Sequence, residues 1–213
     1  MAQFEFSVDD QFTRTHNEFF RDAKRFQWSA GILGAILVVA AVLLFIFGGA
    51  AWSSIVAIVL LVMALLCLVM VPVLPRQLGS PQSYYDNYDL VPAVVAQVNP
   101  RDVVLMALVD TAVPGTGTAA SPALALRTVT SVPGIVREVG ERVPSMAVTG
   151  MRTLRNQGHW EEISPMPVAW GTPDRSVVEA AEAAIPDQQW KKLEGLLGRF
   201  DEVSSTRRRL MEL

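Results

Sequence analysis

Trp28–Phe47, WSAGILGAILVVAAVLLFIF, and Ser54–Val73, SIVAIVLLVMALLCLVMVPV, decide the architecture of this chain. Residues 26–75 contain no Asp, Glu, Lys, Arg or His. A helix crosses the hydrocarbon layer with about 20 apolar residues, so this gap holds two spans and a tight turn. The turn, Gly48-Gly49-Ala50-Ala51-Trp52-Ser53, is too short for anything but a hairpin connection. Trp28 and Trp52 stand at opposite ends of the first span, where aromatic belts form. Pro72 and Pro75 are expected to close the second helix.

The first apolar run exceeds the roughly 7 to 15 residues of a signal-peptide core, and a second span follows at once, so cleavage is not expected. Arg14, Arg21, Lys24 and Arg25 precede the first span and Arg76 follows the second, while the turn has no basic residue. The positive-inside bias therefore predicts a multi-pass protein of the inner (plasma) membrane with both termini in the cytoplasm.

Outward from the spans the chain divides into four parts. Residues 1–27 carry Phe12, His16, Phe19, Phe20, Ala23 and Phe26 at helical spacing, with Arg14, Arg21, Asp22, Lys24 and Arg25 on the other side. This pattern predicts an interfacial amphipathic helix, opened by Ser7 and Asp10 in a variant capping box. The alternative is a soluble helix packed on the C-terminal domain. Residues 28–75 form the transmembrane hairpin and residues 76–90 a linker with Tyr84, Tyr85 and Tyr88.

Residues 91–213 read as a cytoplasmic α+β domain. Val91–Val98, Val103–Ala112, Ala123–Val132 and Val143–Thr149 are rich in Val, Leu and Thr and are separated by Asn-Pro and Pro-Gly turns. His159–Gly171 adds an edge or irregular strand, marked by its prolines. Thr172-Pro173-Asp174 opens a helix to about Ala184, and Pro186 opens another bearing Trp190, Leu193, Leu196, Leu197, Phe200 and Val203 on one face. The expected architecture is an antiparallel sheet or small open barrel covered by C-terminal helices.

Chemistry is sparse in this sequence. A net charge of −3, from 18 Lys and Arg against 21 Asp and Glu, gives no basic field for nucleic acid. Cys67, alone in the second span, has no disulfide or metal partner and reads as a small hydrophobe. His159 beside Trp160, Glu161 and Glu162 falls short of a metal site, because neighbours on a strand face opposite ways. Pro114-Gly115-Thr116-Gly117-Thr118 lacks the Lys and the following helix of a phosphate loop and reads as a hairpin loop. No catalytic, cofactor-binding or metal residue is assigned, and the chain is not expected to be an enzyme. Arg207, Arg208 and Arg209 suit either a membrane-surface contact or a helix C-terminus.

The spans hold no ionisable residue, so transport by this chain alone is not expected. Ala30, Gly31, Gly34 and Ala35 form two overlapping small-xxx-small pairs on the first helix. That face serves either an external partner helix or the hairpin's own second helix. The leading expectation is a non-catalytic accessory subunit of a larger membrane complex, bound through those four residues. A membrane-tethered cytoplasmic module that binds a lipid or soluble partner is the alternative, and an enzyme with an unrecognised site a third.

The order of parts, with Trp160-Glu161-Glu162-Ile163-Ser164-Pro165-Met166-Pro167-Val168-Ala169-Trp170-Gly171, resembles a family of uncharacterised actinobacterial membrane proteins. These have two spans and a small C-terminal domain of unknown function. Small proteins of this kind occur as accessory subunits of the actinobacterial cytochrome bcc–aa3 respiratory supercomplex. The resemblance thus implies integral subunits of that complex, within the lipid bilayer, as candidate partners.

Overall fold

The computed structural model describes residues 4–153 and 157–213, without the side chain of Gln77. The chain forms two compact units, one of residues 19–80 and one that joins residues 1–18 to residues 81–213.

The first unit is the hairpin. Helix α2 (Glu18–Phe47) and helix α3 (Ala51–Leu78) are joined through Gly48, Gly49 and Ala50 alone, a turn shorter than expected. A Cβ on Gly48 would stand 2.3 Å from the Leu44 carbonyl oxygen, so only glycine fits there. Ser53 Oγ donates to the Gly48 and Ala50 carbonyls and holds the turn. With 30 residues, α2 is about 45 Å long at 1.5 Å per residue, longer than a hydrocarbon core of about 30 Å. Its first turns, with Arg21, Asp22, Lys24 and Arg25, therefore suit the headgroup layer.

Small residues line the seam between the helices. Gly34, Ala41, Ala57 and Ala64 are buried. They lie seven apart on each helix, the spacing that returns a residue to the same face. A Cβ on Gly34 would lie 2.9 Å from Leu68 Cγ and 3.4 Å from the Ala64 carbonyl oxygen, so 34 stands between 64 and 68. Buried Ala41 and Ala57 continue this seam toward the turn, and Gln27 and Val71 meet at its other end. At that last position Gln27 Nε2 donates to the Val71 carbonyl oxygen at 2.8 Å.

This bond compensates for one of the two prolines inside the helix. Pro72 and Pro75 were expected to close it, yet α3 runs on to Leu78. Pro75 has no N–H for the Val71 carbonyl four residues earlier. Gln27 supplies that donor from the opposite helix, as re-satisfaction of a freed carbonyl in a membrane requires.

The second unit begins with an arm and helix α1 (Asp10–His16), which differ from the single amphipathic helix expected over residues 1–27. Asp9, not Ser7, caps α1 by accepting from the Phe12 N–H, and the helix ends at Asn17. Along the expected stripe Phe20 is buried but Phe19 and Phe26 are exposed, and the buried positions of α1 and its C-cap are the polar Thr13 and Asn17. Asp9 N donates to the Gly171 carbonyl at 2.9 Å and Asn17 Nδ2 to Met166 Sδ at 3.2 Å, so α1 packs on the C-terminal domain.

The expected linker over 76–90 is also structured. Helix α4 (Pro81–Asp86) buries Tyr85, whose ring meets Phe6 edge-on at 5.1 Å. Gln82 accepts from Val8 N–H at 2.9 Å and donates to the Phe6 carbonyl at 2.8 Å. One side-chain amide thus pairs with the arm as a neighbouring strand would. Burial pushes the Tyr85 hydroxyl well above the ordinary tyrosine range.

Two antiparallel sheets follow. Strands β1 (Leu90–Val91), β5 (Ser145–Thr149) and β6 (Ile163–Pro167) form one in the order β1-β5-β6. Strands β2 (Ala93–Val98), β3 (Val103–Asp110), β4 (Pro122–Val129) and β7 (Leu210–Glu212) form the other in the order β2-β3-β4-β7. The run expected over Val91–Val98 is broken by Pro92, which lets it serve both sheets. Register sets Ala93, Ala107 and Ala125 side by side, and this row joins Ala147 and Ile163 of the smaller sheet in one core cluster. On the other face, Val94, Met106 and Leu126 join Trp190, Leu193 and Val203.

Those last residues belong to the C-terminal helices, α5 (Arg175–Ala184), α6 (Asp187–Gly195) and α7 (Phe200–Ser205). Helix α6 lies on β2 and β3, and α7 on β4. Asp174, not Thr172, caps α5, accepting from the Ser176 N–H at 2.9 Å.

Gly34→Leu should therefore splay the hairpin. In a Cys67→Ala background, an Ala41→Cys/Ala57→Cys pair should form a disulfide across the seam on mild oxidation, and adding Gly34→Leu should reduce its yield. Gln27→Leu, which leaves the Val71 carbonyl without its donor, should lower the thermal stability of the detergent-solubilised chain by about 1–3 kcal/mol.

Candidate functional site

The four residues expected to bind a partner do not act as one face. Gly34 is buried against Leu68 within the hairpin, the second of the two uses expected of this face. Gly31 lies between the two roles: a Cβ there would stand 3.8 Å from Val71 Cγ2, an ordinary contact distance. Ala30 is half-buried and Ala35 exposed. A groove of about 460 Å³ opens beside them, lined by Gln27, Trp28, Gly31, Ile32, Ala35 and Val71. The small side chains of Gly31 and Ala35 form its floor, and Trp28, two-thirds exposed, its rim.

The larger concavity is in the soluble unit. It is a cleft of about 630 Å³, lined by Tyr88, Asp89, Asp110, the 112–118 loop, Ala147, Thr149 and Trp160 among others. The neck of the β3–β4 loop is tied by Asp110, whose Oδ1 accepts from Ala112 N–H at 2.9 Å and Ser121 N–H at 2.8 Å. Gly115 and Gly117 take φ of 81° and 73°, the left-handed region that favours glycine, so the expected hairpin loop turns back on itself. Trp160 reaches the cleft because residues 158–160 pair with 111–113. Val113 N–H donates to the Gly158 carbonyl at 2.9 Å and Trp160 N–H to the Thr111 carbonyl at 2.7 Å. The Arg152 guanidinium lies 5.1 Å from the Trp160 ring centroid.

The histidine and the carboxylate of this stretch take different partners, in an irregular segment that precedes β6. His159 Nδ1 lies 3.2 Å from Thr111 Oγ1 and 3.8 Å from Glu212 Oε1. Glu161 turns instead to Arg208 and Thr153. Hydrogen bonds from Thr153, and then the Arg208 charge, hold the Glu161 carboxyl below the usual carboxylate range. Among the described residues no group of three or more His, Cys, Asp and Glu is placed to hold a metal ion.

Arg208 and Arg209 do not complete a helix. Arg208 pairs with Glu161, and Arg209 Nη1 donates to Thr128 Oγ1 at 2.7 Å while its carbonyl accepts from Leu126 N–H. Arg209 thereby fastens the start of β7 to β4, a strand that sequence patterning missed because three residues show no period. The cleft was missed as well, since its walls come from four separate stretches.

A family model described as Protein of unknown function (DUF3239) matches residues 76–201, more than half of the chain. No curated protein matches. A crystal structure of a "putative membrane protein from Corynebacterium diphtheriae" is similar over 59% of this chain and 100% of its own, with 52% identity and a TM-score of 0.55. The chain belongs to the DUF3239 family, and its two apolar helices agree with the description of that actinobacterial neighbour as a membrane protein.

The Glu161 carboxyl ionises more readily folded than unfolded, so its contribution is present above the unfolded pKa and is lost as pH falls through the folded value. Thermal melts between about pH 6 and pH 3 should show a shallower acid loss for Glu161→Gln than for the parent chain.

Proposed function

We propose that this member of the DUF3239 family is a non-catalytic, membrane-anchored accessory subunit of a larger membrane protein complex. The observation that carries the reading is the groove at Gly31 and Ala35. The hairpin closes on itself through Gly34, Ala41, Ala57 and Ala64, and still presents small residues on an outer surface. Small residues facing lipid allow a further helix to approach closely. The narrowed partner surface is therefore Gly31 and Ala35, with Trp28 at its edge.

The protein resides in the plasma membrane with both termini in the cytoplasm. Basic residues flank the spans on that side and are absent from the turn. The pairing of residues 6–9 with Gln82 and Gly171 supports a common compartment for the two flanks. The actinobacterial cytochrome bcc–aa3 supercomplex is the candidate assembly, on the family resemblance. A tethered cytoplasmic binding module is the second reading, favoured by the cleft beside Trp160.

Mild-detergent purification from the native membrane, followed by mass spectrometry, tests the proposal. A stoichiometric set of membrane-complex subunits is expected, and Ala35→Leu should reduce its recovery while leaving the Ala41→Cys/Ala57→Cys crosslink intact. Recovery of the chain alone, or only as a homo-oligomer, would overturn the subunit reading.

A further inference from the structure

We propose that the cleft of the soluble unit binds a small organic cation, an ammonium group carrying an apolar body. The inference stands apart from the accessory-subunit reading, since the cleft lies wholly within the soluble unit. Its volume of about 630 Å³ falls in the range of small-molecule sites. Tyr88 and Trp160 supply aromatic surface, and Asp89 and Asp110 supply carboxylates.

The charge balance selects the ligand class. Among the described lining residues there are two acids and no Lys, Arg or His. An anion is disfavoured there despite the glycine-rich loop, because both carboxylates would repel it. Asp110 is already engaged by two backbone N–H groups, which fixes its position and leaves it in place as a charge. Asp89 is half-buried at the cleft wall and is the carboxylate not tied up by the loop, which makes it the available counter-charge. An indole or phenol ring beside a carboxylate favours a cation through its ring quadrupole. Trp160 already attracts one, the guanidinium of Arg152, which lies outside the lining.

Titration calorimetry of the full chain in detergent micelles tests this, with choline as the probe and dimethylbutanol, its neutral carbon isostere, as the control. Saturable binding of choline without binding of the isostere is expected. Asp89→Asn, at a half-buried surface position, should weaken binding about tenfold. Arg152→Ala should tighten it, because a neighbouring positive charge is removed. Glycerophosphocholine separates two sources of the same group. Affinity equal to that of choline assigns a lipid headgroup, and weaker binding assigns a free amine. The proposal is overturned by no saturable choline binding, by equal affinity for the isostere, by an unaffected Asp89→Asn, or by weaker binding in Arg152→Ala.

Discussion

A backbone carbonyl inside hydrocarbon must find a donor within the protein, and at Val71 the donor is Gln27. Water would relieve the carbonyl released by Pro75 in a soluble helix. Here the relief comes from the facing helix, at the end of the spans beside Trp28. The bond therefore fixes the register of the hairpin as well as satisfying the carbonyl. Along the same seam Gly34 packs against Leu68 and Ala64, and Ala41 and Ala57 are buried. What is left for other molecules is the shallow floor at Gly31 and Ala35, the surface these contacts do not use.

The soluble unit is organised around a comparable economy of small side chains. Ala93, Ala107 and Ala125 sit side by side in register, and the smaller sheet comes down on them through Ala147 and Ile163. The bulk of the core, with Trp190, Leu193 and Val203, lies on the opposite face. One face thus supplies hydrophobic area and the other supplies closeness. Where the sheets part beyond Asp110 and Ala147, the cleft opens.

The spans and the α+β class were legible because both rest on local pattern: an uninterrupted apolar run, and alternating strands followed by amphipathic helices. Failures came where a distant residue changed the local rule. Pro72 and Pro75 read as a helix end until Gln27, more than forty positions away, enters. Phe12, Phe19, Phe20 and Phe26 mark an aromatic stripe of which Phe20 is buried, yet the positions of α1 and its cap held against the domain are polar, Thr13 and Asn17, each bonded to residues more than a hundred positions on. Of the small-residue group, sequence showed which residues permit close approach but not which helix makes it. The walls of the cleft, Asp89, Asp110 and Trp160, have no spacing in common and meet only through the fold.

The clasp of Gln82 on Phe6 and Val8, and of Gly171 on Asp9, also bears on the order in which the molecule is made. The arm precedes the hairpin, but its partners follow it and, for Gly171, most of the sheet as well. Phe6 must wait, exposed, while both helices insert, and the soluble unit closes only after residue 171 has emerged. Such long-range closure is slow compared with local helix formation. Seating of the arm thus awaits residues on the far side of the hairpin, and a nascent chain arrested before that residue would carry a finished anchor and an unfinished domain.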